Sequence, residues 1–188
     1  MMTAAEAGKK EMANGAGRKL PAMRIASLFV NLNIFAALLT VGAIVLGFFV
    51  PVFPKILYCH IPVGLGAVIL GLFALVAVMF YLIVTGASIK EAVMAKGLPA
   101  EYVQRGKPFK KTLFPFCMMT IMLLITMTVL GGAVHVGKVN KNFHLLFALV
   151  TAISYYYTIK KTKEVFQKDR ELIADALDAI EARPSGVQ

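Results

Sequence analysis

Four apolar blocks separated by short polar stretches set the pattern of the chain. The first runs from about Ile25 to Val50 and ends at the helix breakers Pro51 and Pro54. The second covers residues 61–85, the third 113–134, and the fourth, the shortest, 143–159, where Lys160 and Lys161 stop it. A helix crosses the hydrocarbon layer in about 20 apolar residues, so the pattern predicts four transmembrane helices. The fourth reaches that length when His144 and the Tyr155–Tyr156–Tyr157 run lie at interfacial or protein-facing depth, where amphipathic rings are favoured. The expected fold class is an all-α membrane protein: a four-transmembrane-helix bundle (25–159) with a disordered basic tail before it (1–24) and a C-terminal cytoplasmic amphipathic helix and tail after it (160–188).

Outside the blocks the pattern is short and polar. Ser88–Lys96 predicts a short amphipathic helix broken by Gly97-Leu98-Pro99, and Pro99-Ala100-Glu101 opens a second short helix ending near Gly106 and Pro108. In the C-terminal segment Val165, Leu172, Ile173, Ala176, Leu177 and Ile180 recur at helical spacing on one face. Nothing else in so small a chain is expected to cover that face. It therefore predicts a partner: other membrane-protein subunits of a larger complex, or the membrane surface. No internal repeat stands out.

Composition supports this frame. Hydrophobic residues make up 59% of the chain and charged residues 16%, against about 45–50% and about 25% in soluble domains. A soluble enzyme and a disordered chain are excluded. The net charge of +10 has a membrane explanation. Five Lys and Arg precede the first block, six lie between the second and third, and six follow the fourth; only Lys55, Lys138 and Lys141 fall on the other side. The positive-inside rule then puts both termini in the cytoplasm, in a bacterial-type inner membrane, with the cations facing anionic lipid headgroups and no role for nucleic acid.

The blocks contain no Asp, Glu, Lys or Arg. Proton pumps and ion-coupled transporters work through intramembrane ionisable groups, so a transporter is disfavoured, and a hydrolase has no acid at the depth of a nucleophile. Small residues line the first two blocks at helical spacing (Ala36, Thr40, Ala43, Gly47; Gly64, Ala67, Gly71, Ala74) and predict a tight antiparallel pair. Asn31, Asn33, Thr40, Thr120, Thr126, Thr128, Thr151 and Ser154 are expected to hydrogen-bond between helices or back to their own helix. Met118 and Met122 share a face of the third block, but no second block repeats them, and methionine is a routine apolar filler.

The candidate chemistry lies in three histidines placed at one depth. His60 opens the second block, His135 closes the third and His144 opens the fourth. A b-type haem takes two axial imidazoles from facing helices, and glycine beside a ligand leaves room for the macrocycle. His60 and His135 are the expected axial ligands, Gly64, Gly131 and Gly132 the expected slot, and His144 a substitute ligand or quinone contact. Lys138 and Lys141 would neutralise the propionates. A three-histidine zinc or copper site with Cys59 is a weaker reading, because the outer side offers no carboxylate to orient the ligands. In architecture this arrangement resembles the four-helix cytochrome b anchors of respiratory complexes. The functional expectation is an electron-transfer subunit exchanging electrons with quinone or a periplasmic partner. The alternative is a cofactor-free accessory subunit that stabilises or assembles a larger membrane complex.

Overall fold

The computed structural model describes the backbone of residues 4–182 and the side chains of residues 25–182. Four helices follow one another: α1 (Ala4–Phe49), α2 (Leu57–Lys96), α3 (Glu101–His135) and α4 (Lys141–Glu181), with a short 3-10 turn over Pro54–Ile56. The tail expected to be disordered is helical from residue 4, as the start of α1; its side chains, residues 1–3 and residues 183–188 lie outside the described residues. The chain is all-helical, and three helices, α1 over Ile25–Phe49, α2 and α3, are long and apolar enough to cross a membrane.

Each helix packs on the next, and α4 closes the bundle against α1. The predicted small-residue pairing of α1 and α2 is present: Ala36, Thr40, Ala43, Ala67 and Ala74 are all buried. A side chain at Gly64 would meet only the methyl of Ala43, at 3.8 Å. Outward faces are apolar, with Leu38, Phe73, Phe80 and Val129 each more than 60% exposed. That is the surface expected of helices solvated by lipid rather than water.

Two expectations about the polar stretches are corrected. Ser88–Lys96 is no separate helix, because α2 runs unbroken from Leu57 to Lys96. It stops where Gly97 adopts a left-handed φ of 63°, a conformation that favours glycine at a helix end. Likewise, the helix starting at Glu101 does not end near Gly106; it continues through Pro108 and Pro115 to His135. These extensions explain a third correction. The apolar face of the tail is covered in part by the chain itself: Val165, Leu172 and Ala176 are buried with Phe166 beside them, while Ile173, Leu177 and Ile180 are half-buried. Leu172 lies over Gly106, 3.5 Å from where a β-carbon would be. Phe166 packs on Tyr81 at 4.7 Å between ring centroids, and Arg105 bridges to Asp175 at 2.8 Å. The tail is the second half of α4, and it extends the bundle beyond the apolar spans.

Candidate functional site: paired histidines on a pseudo-twofold axis

Two of the three histidines meet. His60 on α2 and His144 on α4 face each other with ring centroids 6.3 Å apart and planes nearly perpendicular, at 82°. His135, the last residue of α3, is exposed. Among the described residues no group of three His, Cys, Asp or Glu side chains is placed to hold a metal ion. Cys59 is exposed and Cys117 buried.

Each paired ring is held in the same way. His60 Nδ1 lies 2.9 Å from the carbonyl of Ala43, and His144 Nδ1 lies 3.1 Å from the carbonyl of Met127. A carbonyl oxygen can only accept, so each Nδ1 carries a proton, which in the neutral ring leaves the lone pair on Nε2. No hydrogen bond to either Nε2 occurs among the described residues. One turn beyond each carbonyl stands a glycine. A β-carbon at Gly47 would lie 3.1 Å from His60 Cε1, and one at Gly131 would lie 3.1 Å from His144 Cε1. A β-carbon at either position would press on the imidazole, because the ring edge rests on the neighbouring helix backbone. The expected macrocycle slot is distributed differently: Gly131 seats His144, Gly64 faces Ala43, and Gly132 has nothing within 4 Å.

These two seats repeat one another in sequence, which corrects the expectation of no internal repeat. Residues 45–60 and 129–144 share the pattern V-L-G-x-x-V-x-V-x-x-x-x-x-x-x-H without a gap: Val45, Leu46, Gly47, Val50, Val52, His60 and Val129, Leu130, Gly131, Val134, Val136, His144. In each hairpin the hydrogen-bonded carbonyl lies 17 residues before its histidine. Extended along the chain, this register pairs α1 with α3 and α2 with α4. Residues touch their own counterparts at three levels. His60 meets His144; a β-carbon at Gly71 would lie 3.3 Å from the Tyr155 hydroxyl; and Thr85 meets Asp169, 84 positions away, at 3.4 Å. Residues meet their counterparts only on a twofold axis, so the two hairpins are related by a pseudo-twofold axis along the bundle. The histidine pair lies at one end of it.

Asn33, Thr120 and Ser154 hydrogen-bond between helices and Thr40, Thr128 and Thr151 back to their own helix, while Asn31 and Thr126 are exposed. Asn33 donates to the carbonyls of Phe29 and Ala74 and accepts from the Tyr155 hydroxyl. Thr120 joins Ser154 and Thr158 at 2.7 and 2.8 Å. At the terminal end of the axis Asp169 is only 2% exposed. Its second carboxylate oxygen and the Tyr81 hydroxyl have no hydrogen-bond partner among the described residues.

Sequence reasoning had placed His60, His144 and Gly131 in the site but missed Ala43, Gly47 and Met127. The signal that finds them is the repeated pattern, invisible while each block is read by itself. Comparison with protein-family models, curated proteins and solved structures finds no match.

Proposed function

We propose that this chain is a multi-pass subunit of a membrane electron-transfer complex, with His60 and His144 as the axial ligands of one b-type haem. The observation that carries this reading is the symmetric pair of rings, each proton-locked at Nδ1 with Nε2 unclaimed. Histidines that ligate metals commonly donate their other ring N–H to a backbone carbonyl, which fixes the tautomer. Two nitrogens each about 2 Å from one metal stand about 4 Å apart. Imidazoles with centroids 6.3 Å apart reach that separation when their Nε2 edges face each other. The spacing of the rings is therefore the one two axial donors require, with both Nε2 edges turned to the metal. When bound, the haem would carry single electrons between its ferric and ferrous states. The residues of the chain supply ligation, an apolar surrounding and position, while Lys138 and Lys141, exposed at the same end, would meet the propionates. Quinone, or a partner beyond the membrane, would be the electron donor or acceptor.

Several features support four spans rather than three. The polar residues of α4 at span depth (Thr151, Ser154, Tyr155, Thr158) are all buried, while Leu146, Leu149, Val150 and Ile153 face outward. These residues lower the mean hydropathy of α4, and burying them keeps their polar groups off the lipid-facing side. The excess of Lys and Arg on the side of the termini supports a cytoplasmic placement of both ends in a bacterial-type inner membrane.

An optical spectrum of the purified chain, with and without dithionite, tests the reading. A Soret band that shifts on reduction is expected in the wild type and in His135→Ala, and should be lost in His60→Ala and in His144→Ala. A colourless protein from haem-replete cells would sink it. The cofactor-free accessory subunit would then stand, a reading favoured by the edge-to-face packing of the two rings and by the filling of both glycine seats by the rings themselves.

A further inference from the structure

At the terminal end of the bundle a groove between α1 and α4 encloses a cavity of about 270 Å³. Its floor is apolar, with Ala26 and Phe166 each 1% exposed. Its rim is polar: Lys163, Gln167 and Arg170 stand on successive turns of α4, opposite Asn31 on α1. Neither Lys163 nor Arg170 makes an ion pair among the described residues. Of the carboxylates nearby on α4, Glu164 accepts from Lys161, Glu171 from Gln167 and Asp175 from Arg105, while Asp169 is buried against Thr85. Two cations thus face one cavity without an anion of their own.

The pseudo-twofold axis supplies an internal comparison. The counterpart of Ala26 is Lys110, and the counterpart of Arg170 is Gly86. Between α2 and α3, Lys110 lies across Gly86, its Nζ 3.1 Å from where a β-carbon would be. There the chain fills the space with its own lysine. Between α1 and α4 the cation is on the other helix, and alanine leaves the space open.

Depth and surroundings define the occupant. Ala26–Asn31 form the first turns of the apolar segment Ile25–Phe49, the level of the headgroup layer. Leu28 and Phe35 on α1, and Ile153, Tyr156 and Tyr157 on α4, are exposed apolar surface deeper in or beside the groove. Basic pockets between helices at a membrane face bind anionic lipid headgroups. We infer that this groove binds the headgroup of an anionic phospholipid from the leaflet on the side of the termini, with Lys163 and Arg170 on the phosphate and Asn31 as a neutral donor. The inference is independent of any haem.

Native mass spectrometry tests it on the full chain released from micelles with equal amounts of phosphatidylglycerol and phosphatidylcholine. Phosphatidylglycerol should be retained by the wild type and by K160Q/K168Q, which loses the same charge elsewhere on α4. K163Q/R170Q should retain it about thirtyfold less, the effect of two cations at the headgroup layer. Equal retention by the two double variants would overturn the site, as would retention of phosphatidylcholine to the same extent. Sodium phosphate should displace no more lipid than sodium chloride of equal ionic strength. Selective displacement by phosphate would make the groove a site for a soluble anion and overturn the lipid assignment.

Discussion

Asp169 shows what one buried group contributes. Burial pushes its carboxyl up to about 6, against the pull of the Thr85 hydroxyl and of Lys110; unfolded, it titrates near 3.9. The folded chain therefore binds the proton more tightly, and the stabilisation present below about pH 4 is lost as pH rises through about 6. Asp169→Asn should raise the unfolding midpoint in mild detergent at pH 8, with the gain narrowing below pH 6 and closing by about pH 4. A gain that persists unchanged at pH 4 would show that the charge is not the cause. Asn33 is the opposite case, a buried amide with all its partners. Asn33→Ala removes the acceptor of the Tyr155 hydroxyl and two bonds to carbonyls, and should cost about 1–2 kcal/mol in a denaturant titration. Both roles were only partly legible in sequence. A polar residue in an apolar run announces a hydrogen bond, but its partner 122 residues away is set by packing.

At the scale of elements, the membrane spans and their continuations are single helices. The Gly97 stop was readable because glycine accepts a left-handed φ at low cost. The continuity of α3 through Pro108 and Pro115 was not, since proline in sequence normally reads as a break. What overrides it is tertiary: α3 from Glu101 onward packs on the end of α4, with Leu113, Phe166 and Leu172 buried there. Phe166→Ala should therefore destabilise by about 3–5 kcal/mol, as for other fully buried aromatics. Truncation after Ile159 should lower the thermal midpoint of the remaining bundle, because it uncovers Tyr81 and Gly106. An unchanged midpoint in the truncated chain would mean that the tail is a separate appendage.

For the whole molecule, the pseudo-twofold axis ties topology to the site. Two hairpins related by an axis along the bundle enter from the same side, so both interhelical loops at residues 50–56 and 136–140 lie together, opposite the termini. In a Cys59→Ser background, Lys55→Cys and Lys138→Cys should react with a membrane-impermeant thiol reagent from one side of sealed vesicles, and Lys96→Cys only from the other. Labelling of Lys55→Cys and Lys138→Cys from opposite sides would break the pairing of the hairpins.

Apolar run length and the sign of the flanking charges are one-dimensional quantities, so the sequence by itself determined the number of helical blocks and their order. It also brought three histidines to one depth, because helix rise is constant. Which two of them meet was decided only in three dimensions. His135 ends α3 on an exposed turn, while His60 and His144 occupy matching positions on the two central-facing helices, each seated on a glycine of its hairpin partner. Rotation about a helix axis decides that choice. It depends on which faces pack together, and a single block read alone carries no information about its neighbour.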